Sequence, residues 1–248
     1  MSSMLMSTIQ PEGRRLASAI VYAMSDVEIW RVPITHGGAA AAEAARFLLD
    51  SEELRRLEAL DRPIGRGEYL VAHVAMRLVL AERLGCDPHD VVLEREPCIE
   101  CDGPHGRPMV AETGGAVFPA PYFSLSHRQG LAVIAVSANP VGLGMELADL
   151  HTDNSTGAES LDLTARLVRE KAYVKGTGLA ASSSSAELTA FSLTDPASIP
   201  DSLGFWQLAT VPVPPGFVAA VAVHTLGDSK TVRLHVGDLD LARALGVT

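Results

Sequence analysis

Glu146, Lys171 and His127 are the side chains of this sequence whose types and settings best suit acid–base chemistry. Glu146 ends the run Val141-Gly142-Leu143-Gly144-Met145-Glu146, which follows Asn139-Pro140 and reads as a strand. Residues two apart on a strand share a face, so Gly144 and Glu146 look the same way. Lys171 lies in Arg169-Glu170-Lys171-Ala172-Tyr173-Val174-Lys175-Gly176-Thr177-Gly178, which reads as a helix end. Lys175 is one turn on and on the same face, whereas Glu170 projects about 100° around the axis. Ser126-His127 is not a hydrolase pair, because adjacent side chains on an extended strand diverge. No G-x-S-x-G, P-loop or G-x-G-x-x-G run occurs.

A second group is Cys98-x-x-Cys101 with His105 four residues on. This spacing supplies part of a zinc site, and a structural site needs four ligands. Cys86 and His89 are the candidates to complete it. The alternative, a plain reduced hairpin, is the reading the sequence favours. The cysteine count is three, odd and low, and the N-terminal MSSMLMSTIQPEGRR has no apolar export core. Both features fit a reduced cytoplasmic protein.

The elements that must position these residues follow from composition and periodicity. The chain has 248 residues, 47% hydrophobic and 20% charged, enough for one large domain or two small ones. A net charge of −10 argues against nucleic acid, which needs a basic face. An anionic ligand would need a local basic pocket. The longest apolar runs, Leu131–Val136 and Val218–Val223, are too short to span a membrane.

The first 24 residues read as a loose tail. Val27–Val32 reads as a strand ended by Pro33. Helices are expected over Ala39–Leu49, over Leu54–Leu60 with Asp50 or Ser51 as N-cap, and over Arg66–Leu84 ending at Gly85. Val91–Arg95, Tyr122–Leu125, Leu131–Val136, Val141–Glu146, Phe205–Thr210, Val218–His224 and Thr231–Val236 read as strands. Cys98–Pro108 reads as a turn-rich hairpin or loop, Thr164–Lys175 as a helix, and Asp149–Thr164 and Ser182–Ser185 as polar loops. Helices and strands alternate in both parts, so the fold class is α+β or α/β.

Several of these segments resemble, in order, the motifs of the Sfp-type 4'-phosphopantetheinyl transferases. Positions 141–146 are similar to V-G-[IV]-D-[IV]-E, and 169–178 to the end of W-x-x-K-E-A-x-x-K-x-x-G. Leu49–Glu53 resembles L-[ST]-x-[DE]-E. Ala72–Arg77 resembles A-R-x-x-L-R, with His73 for the first arginine. Gly106-Arg107-Pro108 resembles G-[KR]-P, Phe123–His127 resembles F-N-[LI]-S-H, and Gly216–Val221 resembles the closing G-[YF]-x-x-A-[VL]. The resemblance covers about residues 25–225. It implies an α+β fold of two similar α/β halves related by a pseudo-twofold, 25–139 and 140–248, with the ligand between them.

The resemblance further implies phosphopantetheinyl transfer in natural-product metabolism, on polyketide or nonribosomal peptide pathways, with coenzyme A as ligand. An acyl or peptidyl carrier protein would be the partner. It carries a ligand-binding role to Arg62, Arg66, Arg77, Arg107, Ser126, His127 and Lys175. It makes Glu146, Lys171 and Lys175 the catalytic candidates. Two departures bear on this. Gly144 stands where the family has an acidic residue, and Lys171 where it has a glutamate, so Glu146 is the residual metal candidate and Mg²⁺ is not expected. Lys171 is expected instead to occupy the vacated position and pair with Glu146 or a phosphate. The segment after Glu146 is short, which counts against carrier-protein recognition. Two other readings fit the altered motif. One is a repurposed cleft doing metal-free acid–base chemistry on a pathway intermediate, of cyclase or lyase type. The other is a non-catalytic protein that binds coenzyme A or a carrier protein.

Overall fold

The computed structural model describes residues 26–111, 120–148, 157–179, 202–225 and 232–247, with only the backbone for 157–162 and 202–203. The tail expected over 1–24 and the polar stretch 182–185 lie outside the described residues, as does Asp149.

The chain opens with β1 (Asp26–Pro33), α1 (His36–Ala44), a 3-10 turn at Arg46–Leu48, α2 (Ser51–Glu58) and α3 (Pro63–Leu84). A second 3-10 turn (Pro88–Asp90) leads to the short hairpin β2 (Leu93–Arg95) and β3 (Pro108–Val110). Then come β4 (Tyr122–Arg128), β5 (Leu131–Ser137), β6 (Val141–Leu147) and α4 (Gly157–Thr177). β7 (Ser202–Leu203), β8 (Trp206–Thr210), β9 (Phe217–His224), β10 (Arg233–Asp238) and α5 (Leu241–Ala244) follow among the described residues.

Local chemistry explains the helix ends. Asp50 caps α2 by accepting from Glu53 N at 2.8 Å, and Glu53 Oε2 accepts from Asp50 N at 3.1 Å, a reciprocal capping box. Pro63 in the first turn needs no hydrogen-bond partner for its nitrogen, and Gly85 closes α3 at φ 68°.

Among the described residues two four-stranded sheets carry the core, in orders β10-β1-β5-β4 and β6-β9-β8-β7. They stack face to face. Val27, Ile29, Val133 and Ala135 of the first meet Val141, Leu143, Met145, Val221 and Val223 of the second. The opposite face of the first sheet, with Trp30, Ala132, Ile134 and Val136, is covered by α3. The opposite face of the second is covered by α4 through Ala172 and Tyr173, packed on Leu208 and Ala222. The layers therefore run helix, sheet, sheet, helix. Every residue of β5 is buried because both its faces are covered, and each large aliphatic side chain there contributes about 1.5–3 kcal/mol.

The fold is α+β. Several boundaries differ from those expected. The polar stretch Asp149–Thr164 is not all loop: α4 begins at Gly157, so part of it is helix. Serine, aspartate and glycine weaken the helical pattern of that stretch in sequence, yet the helix forms. The region Ala39–Leu49 is split into a helix and a 3-10 turn. The last long strand pairs in parallel with β1, in register Asp26↔Arg233 to Arg31↔Asp238, so this C-terminal segment completes the first sheet. Arg31 pins the join by donating from Nε and Nη2 to Asp238 at 2.7 and 2.8 Å. No helix among the described residues is long and apolar enough to cross a membrane.

Candidate functional site

β6 and α4 touch along a seam of small residues. A Cβ at Gly142 would stand 2.0 Å from Ala172 O, and one at Gly144 would stand 2.1 Å from Val168 O. Both are backbone atoms of the helix, so no rotamer relieves the contact. Glycine is required at 144 because the helix main chain occupies the space a side chain would enter. Sequence reasoning placed Gly144 and Glu146 on one face, which is correct. The motif comparison reads Gly144 only as a missing carboxylate; the structure adds that α4 backbone fills the space beside it.

One step along the same face, the Glu146 carboxylate is 8% exposed. Lys171 Nζ donates to its Oε1, and Arg128 Nε lies 3.4 Å from Oε2, an ion-pair contact that leaves this oxygen without a hydrogen bond among the described residues. The donor set does not suit Mg²⁺. An octahedral oxygen site asks for one or two carboxylates with water and phosphate oxygens. Here a single carboxylate is faced by two cations, and helix backbone holds the adjoining position.

Lys175, one turn beyond Lys171, reaches across to the first sheet and donates to Leu125 O at 3.0 Å. It lines a cavity of about 870 Å³ where the edge strand β4, the β2–β3 hairpin, α2, α3 and the end of α4 converge. Arg107 enters this cavity from the hairpin. It chelates Glu96 at 2.7 and 2.8 Å and donates from Nη1 to Gly176 O at 2.6 Å. Its guanidinium also lies 4.9 Å from the centre of the Tyr122 ring. Arg107 thus ties the hairpin to the C-terminal end of α4, where carbonyls attract a cation.

The electrostatics follow from enclosure. Desolvation lowers the Lys175 ammonium to about 8, helped by Lys171 and opposed by Glu146, although the residue as a whole is exposed. Desolvation also lowers His127 to about 4, with His73, Lys175 and Arg128 adding repulsion. His127 Nδ1 is buried without a hydrogen bond among the described residues. A polyanion entering the cavity would supply the negative charge that Lys175 and His127 lack.

A network that sequence reasoning did not identify borders the same cavity. His73 Nδ1 is 2.7 Å from Glu53 Oε1. Arg77 donates to Glu53 at 2.6 Å, to Asp50 at 2.8 Å and to Val91 O at 2.8 Å. Burial would raise the Glu53 carboxyl, but the hydrogen bond and charge of His73, with the charge of Arg77, outweigh it and hold the group low. Tyr69 stacks on His73 at 3.8 Å and meets His127 edge-on at 6.4 Å. Its hydroxyl is buried without a hydrogen-bond partner among the described residues, and desolvation pushes it up to about 12.

Of the residues singled out in the sequence, Arg107, His127 and Lys175 meet at the cavity. Glu146 and Lys171 form their own pair beside it. Ser126 is buried and does not line it, whereas Ser124 does, accepting from Leu143 N at 3.0 Å. Arg77 is 1% exposed with its donors spent on Glu53, Asp50 and Val91, so it braces the cavity wall rather than facing a ligand. Arg62, exposed at the start of α3, and Arg66, in its first turn, are not among the lining residues. Arg56 and Arg95 are, and were not anticipated. Both lie in segments without a distinguishing motif. The capping box Asp50–Glu53 was the available signal for the network, since its second carboxylate points along α2 toward α3.

No family model matches the chain. Among curated proteins it is similar to one of Synechocystis sp. named "Putative 4'-phosphopantetheinyl transferase", 27% identical over 101 residues. The matched region is 40% of this chain and 37% of that protein, so the chain spans little more than a third of the length of that relative.

Proposed function

We propose that this chain is a 4'-phosphopantetheinyl transferase-like protein of natural-product metabolism. In this reading it binds coenzyme A in the cavity and uses side-chain cations where the transferases use Mg²⁺. The observation that carries the reading is the convergence of Arg107, His127 and Lys175, from three separate elements, on one cavity large enough for a nucleotide-sized ligand. The motif resemblance and the named relative support it. The two layered halves, α3 on one sheet and α4 on the other, support the pseudo-twofold arrangement of that family.

In this reading the serine oxygen of an acyl or peptidyl carrier protein bonds to the β-phosphorus of coenzyme A. The bond to the bridging oxygen breaks, and 3',5'-adenosine bisphosphate leaves. The serine proton passes to a carboxylate, and Glu146, beside the cavity, is the one to which the motif resemblance carries that role. Lys175 and Lys171 offset charge that grows on the diphosphate, a role usually worth several kcal/mol when a metal fills it.

Incubation of the full chain with coenzyme A and apo carrier protein, with EDTA or with Mg²⁺, tests this by intact mass. A gain of one phosphopantetheine in EDTA supports it. Transfer that appears only with Mg²⁺ overturns the metal-free account. Absence of both transfer and coenzyme A binding overturns the reading as a whole. A second reading would then stand on the Glu53–His73 pair beneath Tyr69: acid–base catalysis in the same cavity on another substrate.

A further inference from the structure

We infer that Cys98, Cys101 and His105 form a zinc site at the rim of the cavity, with three protein ligands and a fourth position open to water. The sequence left this segment as a reduced hairpin with half a site. The structure brings one ligand atom from each of the three residues within 4.8 Å of the others. Cys101 Sγ is 3.0 Å from His105 Nε2. A tetrahedral ion about 2.3 Å from each sulfur and about 2.0 Å from the nitrogen would set its ligands about 3.6 Å apart. The Cys101–His105 separation is shorter than that value and no pair is farther apart than 4.8 Å, so small side-chain rotations admit the ion.

The backbone is folded as a metal-holding turn. Asp102 N donates to Cys98 O and Cys98 N to Gly103 O, each at 2.8 Å, while His105 N donates to Gly103 O at 2.9 Å. Asp102 adopts φ 59°, uncommon for a residue other than glycine, and this reverses the chain directly after Cys101. Gly103 leaves the ligand atoms room: a Cβ there would stand 3.1 Å from the His105 ring and 3.2 Å from Cys101 Sγ. Backbone N–H groups of Glu100 and Cys101 point at the Cys98 sulfur. Cys98 is 2% exposed whereas Cys101 and His105 are open to solvent, so an ion has both an anchored ligand and a way in. Cys86 and His89, the completing ligands offered by the sequence, are not part of the cluster.

The consequence lies two residues on. Glu96 N donates to Arg107 O at 2.9 Å and Arg95 Nη1 to Gly106 O at 2.8 Å, so the loop that would hold zinc is also the loop that presents His105 and Arg107 to the cavity. A bound ion would fix that loop in place of a longer hairpin ladder. This site is independent of coenzyme A and of any transfer reaction.

The test is zinc content and Co²⁺ spectroscopy on the full chain, purified reduced and reconstituted with the metal alone. The expected result is one zinc per chain, lost in Cys98→Ser and in Cys101→Ser and retained in Cys86→Ser. Co²⁺ should give thiolate charge-transfer and tetrahedral d–d bands with the wild-type chain. The Co²⁺ spectrum keeps the question answerable if the serine variants fail to fold. Zinc should raise the Tm of the wild-type chain, and EDTA should reverse the rise. A reduced wild-type chain that takes up no zinc and shows no cobalt–thiolate band overturns the inference. So does zinc uptake unchanged in the Cys98→Ser/Cys101→Ser double variant. A stable Cys98–Cys101 disulfide that re-forms in air despite saturating zinc also overturns it.

Discussion

Gly144→Ala is the most informative single substitution. The added Cβ would lie 2.1 Å from Val168 O, 2.9 Å from Val168 C and 3.1 Å from Ala172 N. Contacts below 3.0 Å are essentially never made by a real Cβ, so going from 2.1 to 3.0 Å requires α4 to retreat from β6 by about 1 Å. Both partners are main chain in the interior of regular elements, and interiors packed at crystal density do not absorb such shifts locally. Overpacking of this kind costs about 1–3 kcal/mol and occasionally more. The backbone-only contact puts Gly144→Ala at the top of that range, about 3 kcal/mol. For a chain of this size that is a fall in Tm of about 6–12 °C. Gly65, in the first turns of α3 with nothing within 4 Å of its added Cβ, is the control: Gly65→Ala should be neutral or stabilising by up to about 1 kcal/mol. Thermal and urea unfolding read both. If Gly144→Ala unfolds with wild-type midpoints, the strand and helix are not in the contact described, and position 144 is open after all. The same reasoning holds for Gly144→Asp combined with Lys171→Glu, the pair that motif comparison alone would build to restore a metal site. It should lose stability and gain no Mg²⁺ binding.

Three further outcomes follow from the electrostatics. Arg77→Met should cost about 3–5 kcal/mol in urea unfolding, because it leaves Glu53 and Asp50 buried or half-buried without their cation; a role confined to ligand binding would leave stability unchanged. His127 is held neutral in the folded chain down to about pH 4, while the unfolded chain takes up its proton near 6.5. In that window the unfolded state binds more protons, so stability should rise with pH from about 4 to about 6.5; His127→Gln should flatten this part of a Tm-against-pH curve. Lys175 is lowered to about 8, so binding of a diphosphate ligand should weaken as pH rises through about 8 and should be accompanied by proton uptake there; Lys175→Met should bind more weakly with no such step, read by calorimetry in two buffers.

Much of the frame could be read from residue patterns. The continuous apolar run Leu131–Val136, the alternation of Val141–Leu147 and the helical spacing of the Arg66–Leu84 region place the strands and α3, because which faces each one buries is written locally. Asp50 and Gly85 mark helix ends by chemistry that acts within one turn. What could not be read depends on approach between distant elements. That Gly144 is covered by helix backbone follows from where α4 docks, not from strand periodicity. That Arg77 braces Glu53 while Arg107 faces the cavity is a matter of depth, and the two arginines look alike in sequence. The parallel pairing of β10 with β1 joins chain ends about 200 residues apart, a contact with no local signal. The Glu146–Lys171 pair was accessible through the motif resemblance, since spacing gives each residue its face but not that the two elements meet, and Lys171 donates to Glu146.

The central claim is that the cavity beside this pair binds coenzyme A through side-chain cations, without a divalent metal. Calorimetric titration of the full chain with coenzyme A, in EDTA and again in Mg²⁺, tests it most directly. The account predicts the same affinity in both, reduced at least about tenfold in Arg107→Ala by loss of a charge-assisted contact worth about 1.5–3 kcal/mol. Absence of binding in EDTA with recovery in Mg²⁺, or binding indifferent to Arg107→Ala, would contradict it.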